Sequence, residues 1–109
     1  MRKAAVYRNG ELAGTLTEED RNNYLFRYDD GWYADSSKPP VSLTMPKTQQ
    51  EYRSSYLFPF FFNMLSEGVN RKLQSQRLKI DEEDHFGFLL ATASTDTIGA
   101  VSVKQLDEP

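Results

Sequence analysis

The run Leu57-Phe58-Pro59-Phe60-Phe61-Phe62-Asn63-Met64-Leu65 limits what this chain can fold into more than any other stretch. All of it but Pro59 and Asn63 is large and apolar, and it stops at Ser66-Glu67-Gly68. A membrane-spanning helix needs roughly 20 apolar residues, so the run is too short to cross a bilayer. Its side chains have to be covered by the rest of the chain or by a partner. At helical spacing Phe58 aligns with Phe62 and Leu65, and Phe60 with Met64, while Phe61 falls between these rows. That apolar surface is wider than one sheet face usually covers, which leaves part of it for another chain.

What surrounds the run fits a globular chain. The 109 residues suit one domain, spanning 1–109. A charged fraction of 27% against a hydrophobic 39% excludes both a membrane protein and a disordered tail. The net charge is −3 and the 13 basic residues are scattered, which argues against direct nucleic-acid binding. The absence of cysteine rules out disulfides, thiolate nucleophiles and Cys-built zinc sites, and fits a reducing cytoplasm. At the N-terminus Arg2 and Lys3 are followed by Asn9-Gly10-Glu11 before any long apolar stretch, so no signal peptide is expected and the location expected is cytoplasmic.

Local patterns predict strands first and helices second. Asn9-Gly10, flanked by Ala4–Arg8 and Leu12–Leu16, supplies the positive φ angles of a type I′ hairpin turn. Thr17–Arg21 reads as a polar connection. Tyr24–Tyr28 reads as a strand with Tyr24, Phe26 and Tyr28 on one face and Leu25 on the other. After the Asp29-Asp30-Gly31 turn, Trp32–Asp35 is a short extended or helical piece, and Ser36–Pro40 a loop. Val41–Met45 alternates as a short strand closed by Pro46. Tyr52–Leu65 reads as helical, with Pro59 as a break or first turn and Gly68 as a left-handed stop. Asn70–Lys79 reads as a second helix with Leu73 inward and Arg71, Lys72, Arg77 and Lys79 outward. Asp81 caps a third helix carrying Phe86, Phe88, Leu89 and Leu90, with Asp84 in its first turn. Ile98–Val103 is a closing strand. The expected fold is α+β: a small antiparallel β-sheet or partly closed barrel packed against two or three short helices.

Signals for catalysis are nearly absent. There is no glycine-rich phosphate loop and no zinc-protease motif. His85 is the only histidine; an early-helix position explains it, and no nucleophile is nominated for it to activate. Helix capping explains Asp81-Glu82-Glu83-Asp84 more simply than a metal site does. The basic side chains of Asn70–Lys79 read as a solvated face rather than a phosphate track. No catalytic residue, cofactor or metal is therefore expected. Trp32 is either core or an interface anchor, with core favoured by its place between a tight turn and a strand.

Four landmarks, in order along the chain, carry a family resemblance. Phe26-Arg27-Tyr28, then Trp32, then Pro40-Val41-Ser42-Leu43-Thr44-Met45-Pro46 resembles the "F-x-Y … P-L-S-L-S-L-P" segment of HipA-type proteins. Phe61-Phe62-Asn63-Met64-Leu65-Ser66-Glu67-Gly68 resembles their "F-F-x-N-L-L-P-E-G". Asp84–Leu90 followed by Asp96–Val101 resembles their "D-x-F-x-L-L … D-x-x-G-A-V". The match covers almost the whole chain but only the first N-terminal subdomain of HipA, a serine/threonine kinase toxin whose ATP site and catalytic aspartates lie downstream. The resemblance thus implies a kinase accessory piece that is not itself an enzyme. A separate copy of this subdomain resembles the HipS class of antitoxin, which in HipBST systems binds the short HipA-like kinase HipT and inhibits it, with HipB as the DNA-binding partner.

By that resemblance Ser66, Glu67, Gly68, Val69 and Asn70 form the partner-facing loop. Two departures stand out: Ser66 replaces the family's usual proline, and Val69 replaces the tryptophan that many relatives carry after Glu-Gly. Inhibition would then rest on Glu67, Asn70 or docking area. An aromatic residue is common in the family at the position of Trp32, which strengthens its core assignment. Three functions stay open: a trans-acting inhibitor of a HipA-like kinase, a non-inhibitory subunit that completes such a kinase, and an unrelated small binding module or enzyme.

Overall fold

The structure, a computed structural model, describes residues 2–20, 22–63, 76–77, 79–81, 84–92 and 101–106. Five strands form one antiparallel sheet: β1 (Arg2–Arg8), β2 (Glu11–Asp20), β3 (Asn23–Tyr28), β4 (Glu51–Ser54) and β5 (Val101–Leu106). Their order is β4-β3-β2-β1-β5. With β4 and β5 at opposite edges the sheet is open, which decides against the barrel alternative. Among the described residues, three short helices with defined bounds accompany it: α1 (Asp30–Ala34), α2 (Pro59–Phe62) and α3 (His85–Thr92). No helix among the described residues is long and apolar enough to cross a membrane.

The β1–β2 turn is the expected hairpin, with Asn9 at φ 52° and Gly10 at φ 80°. The register slips after Val6, so that Val6 faces Gly14 but Tyr7 faces Leu12. Ala13 is thereby the extra residue of a bulge. Its carbonyl is not left unpaired, because it accepts from Asp29 N–H at 2.9 Å. Next to the bulge, a Cβ on Gly14 would lie 2.6 Å from the Arg27 carbonyl oxygen and 2.8 Å from the Phe26 ring. Only glycine lets β2 and β3 approach this closely.

Tyr24, Phe26 and Tyr28 are buried on one face of β3 in strict alternation. Phe26 sits at the centre, edge-on to Tyr28 (4.9 Å between ring centroids) and 5.8 Å from Phe61. The phenylalanine-rich run therefore keys the core, through the residue that helical rows left between them. Phe61 is fully buried, whereas Phe60 and Phe62 are only partly so. α2 starts with Pro59 in its first turn, where proline's missing N–H costs nothing. Trp32 is in the core at 5% exposure. It lies on α1, which Asp29 caps by accepting from Gly31 N–H at 3.2 Å.

Several elements differ from expectation. Thr17–Asp20 is not a connection but the continuation of β2. Glu51–Ser54 is not the start of a helix but edge strand β4. Tyr52 pairs with Phe26, while Glu51 and Arg53 on the other face meet Arg27 (3.3 Å) and Glu19 (2.6 Å). Pairing with β3 thus decides a segment whose own sequence is ambiguous. Val41–Met45 is not a strand but a tight turn, because flanking prolines lack ladder donors and Met45 N–H bonds the Ser42 carbonyl at 3.0 Å. α3 is capped by Asp84 rather than Asp81, since Gly87 N–H donates to Asp84 Oδ1 at 3.1 Å. The closing strand, described over Val101–Leu106, continues past the expected end at Val103. Of the expected helix 70–79, residues 76 and 77 are helical and Lys79 is left-handed at φ 57°. Arg71, Lys72 and Leu73 lie outside the described residues, as do Met64, Leu65, Gly68 and 98–100.

Candidate functional site

A cleft of about 530 Å³ opens where the start of β1, the β2–β3 corner, the segment after β4 and the start of α3 converge. Its floor is a charged cluster. Arg2 and Glu18 are cross-strand partners in the β1–β2 ladder, which brings their side chains together. Arg2 donates through Nη2 and Nε to Glu18 Oε1, at 2.6 and 2.9 Å. It also donates through Nη2 and Nη1 to Asp84, at 2.7 and 3.1 Å. The guanidinium lies 5.2 Å from the centre of the Phe86 ring. Tyr24 O–H donates to Glu18 Oε2 at 3.2 Å, and its ring sits 6.3 Å from Phe86.

Arg2 and Tyr24 are shifted in the direction their surroundings dictate. The Asp84 and Glu18 carboxylates hold the Arg2 guanidinium protonated against the opposing effect of burial. Burial, reinforced by the charge on Glu18, pushes the Tyr24 phenol up to about 12. Asp84 serves two purposes at once, accepting from Arg2 and capping α3. A Cβ on Gly87 would fall 2.3 Å from Asp84 Oδ2, so this glycine keeps the carboxylate in place. The walls of the cleft are aromatic. Tyr56 stands out at 78% exposure, and Phe62 lies edge-on to His85 at 5.1 Å.

Chemically this arrangement braces the first helix turn of α3 against the sheet. Every acceptor that Arg2 reaches is engaged by it, and the Tyr24 hydroxyl is engaged by Glu18. Among the described residues no cluster of three or more His, Asp or Glu is placed to hold a metal ion. His85 occupies the first position of α3 and packs on Phe62. Trp32 donates from Nε1 to the Pro39 carbonyl at 2.9 Å, and Lys38 lies 5.3 Å from its ring, so both its apolar body and its polar tip are satisfied internally.

The expected partner-facing residues Ser66, Glu67, Gly68, Val69 and Asn70 all lie outside the described residues. Sequence reasoning missed two exposed apolar side chains, Leu43 at 93% and Tyr56 at 78%. The signal for Leu43 was present: Pro39 to Pro46 carries no charge, in a chain that is 27% charged.

An open antiparallel sheet with short helices, and a charged cluster spent on packing, together describe a small α+β domain. Comparison with known proteins specifies which one: the HipA N-terminal domain family model matches residues 4–104, and the chain belongs to that family. It is similar to an uncharacterized protein of Haemophilus influenzae, 32% identical over 105 residues that cover 96% of this chain and 93% of the relative. It is also 26% identical over 103 residues to a Sinorhizobium fredii protein named "Putative kinase Y4mE", covering 94% of this chain but only 24% of that protein. A solved structure described as the N-terminal domain of HipA toxin superposes with a TM-score of 0.73 at 27% identity, covering all of this chain and 96% of the other.

Proposed function

We propose that this protein is a non-catalytic antitoxin-like partner of a HipA-type serine/threonine kinase, docking on it in trans and inhibiting it. The observation that carries this reading is a mismatch of lengths: 94% of this chain matches only 24% of the kinase relative. It therefore corresponds to a part of a kinase-type polypeptide. The Haemophilus relative, of which the chain covers 93%, supports this part working as a protein of its own size. In this reading residues 1–109 act as one domain in the cytoplasm and need no cofactor, and a HipB-like DNA-binding protein joins through the kinase. Ser66–Asn70 is the segment that meets the kinase, with Glu67 as its charged contact. A standard interface buries about 800 Å² per partner, which one face of a domain this size supplies.

Val69 favours a second reading. A small aliphatic side chain after Glu-Gly is a poor plug for a kinase cleft, so the chain would complete the kinase without silencing it. Isothermal titration of the purified protein against a HipA-type kinase that lacks its own N-terminal domain tests both readings together. One-to-one binding is expected, and no binding would remove both. The effect on phosphoryl transfer then separates inhibitor from assembly subunit.

A further inference from the structure

Leu43 is the most exposed large apolar side chain among the described residues, at 93%. A lone surface leucine is ordinary; the scaffold that holds this one out is not. Two residues to either side, Val41 and Met45 are buried at 4% and 2% exposure. The buried Tyr28 hydroxyl ties both, accepting from Val41 N–H at 3.0 Å and donating to the Met45 carbonyl. Within the turn, Thr44 N–H donates to Ser42 Oγ at 3.2 Å, and the Ser42 and Thr44 hydroxyls bond each other at 2.9 Å. Pro39, Pro40 and Pro46 restrict the chain on both flanks. Turning Leu43 inward would break contacts made by buried groups.

The electrostatics point the same way. Lys38 pairs with Glu11 and leans over Trp32. Lys47 is bent back onto the carbonyls of Asp35 and Lys38, at 2.6 and 2.8 Å. Both flanking cations are thus satisfied by the protein's own surface, and the tip between them is neutral. A pre-ordered, uncharged, apolar knob matches an apolar socket on a protein and offers nothing to a phosphate backbone.

The geometry points to Leu43 as an anchor that inserts into an apolar socket on the body of a HipA-type kinase. This rests on the kinase-partner reading and adds to it a second contact, separate in sequence from Ser66–Asn70. The occupant follows from the length relation: in the kinase relative the matching region is 24% of the chain, so an equivalent domain there has the rest of one polypeptide to pack against. Because the Tyr28 clamp fixes the turn beforehand, docking loses little chain freedom.

The test is the affinity of the full chain for a HipA-type kinase lacking its own N-terminal domain, measured for wild type, Leu43→Ala and Leu43→Asp, alongside each protein's melting temperature. Both variants should melt like wild type. Leu43→Ala should bind about 10-fold more weakly and Leu43→Asp about 100-fold or more. Leu43→Ser repeats the test without a charge, should Leu43→Asp disturb the fold. Wild-type affinity in a folded Leu43→Asp or Leu43→Ser protein overturns the socket while leaving the kinase-partner reading intact. Failure of the wild-type protein to bind overturns both.

Discussion

Arg2 and Asp84, 82 positions apart in sequence, meet through two hydrogen bonds of 2.7 and 3.1 Å. One opens the first strand and the other caps the last described helix, so this pair fixes α3 on the sheet together with Glu18. The phenyl ring of Phe86, one helical step beyond His85, completes the contact from the apolar side.

That relationship makes Arg2→Met informative. The Arg2 side chain is 37% exposed, so solvent weakens its ion pairs, and the expected loss is about 1–2 kcal/mol in urea denaturation. Asp84→Ala should lose about 1 kcal/mol more, because it also removes the α3 cap. The double variant should be less destabilised than the sum of the two. Strict additivity would mean that the two residues act independently.

Alkaline pH should destabilise the protein through Tyr24. Its phenol is neutral in the fold up to about 12, against 10.0 when unperturbed. Between these values the unfolded chain has lost a proton that the folded chain keeps, so stability falls as pH rises through this window and is fully present below it. Burial raises Tyr28 in the same direction. In Tyr24→Phe the slope of stability against pH above 10 should be shallower than in wild type. An identical slope would exclude Tyr24 as a source.

Trp32→Ala removes a side chain that is 5% exposed and leaves the Pro39 carbonyl without its donor. A loss of about 3–5 kcal/mol is expected by chemical denaturation. Trp32→Phe should recover part of the packing but not the hydrogen bond. A folded, fully stable Trp32→Ala protein would contradict its place in the core.

Glu67→Lys addresses the proposed docking segment. The variant should keep the melting temperature of wild type and bind a HipA-type kinase at least about 10-fold more weakly, the size of a lost charged contact at an interface. Normal affinity in the folded variant would take Ser66–Asn70 out of the interface.

What could be read in the sequence was what is decided locally. Asn9-Gly10 carries its own turn geometry, and β3 shows its buried face as Tyr24, Phe26 and Tyr28. Pro59 marks the start of α2 for the same kind of reason. The misread segments are those settled by distant partners. Val-Ser-Leu-Thr-Met alternates like a strand, yet the Tyr28 hydroxyl, 13 and 17 residues upstream of its two bonding partners, holds it as a turn. Glu51–Ser54 is polar enough to suit a helix surface, and only pairing with β3 makes it a strand. Asp81 and Asp84 are equally competent caps by type; the guanidinium of Arg2, brought in by β1, sits at Asp84. Phe61 escaped the helical-row pattern because α2, at four residues, is too short to present a stripe, and it is Phe61 that meets Phe26.

The most direct measurement is phosphoryl transfer by a HipA-type kinase lacking its own N-terminal domain, titrated with this protein. A stoichiometric fall in kinase rate, complete near one equivalent, is the result expected of an antitoxin-like partner. An unchanged or increased rate, with binding demonstrated in the same sample, would contradict inhibition and leave a subunit that completes the kinase.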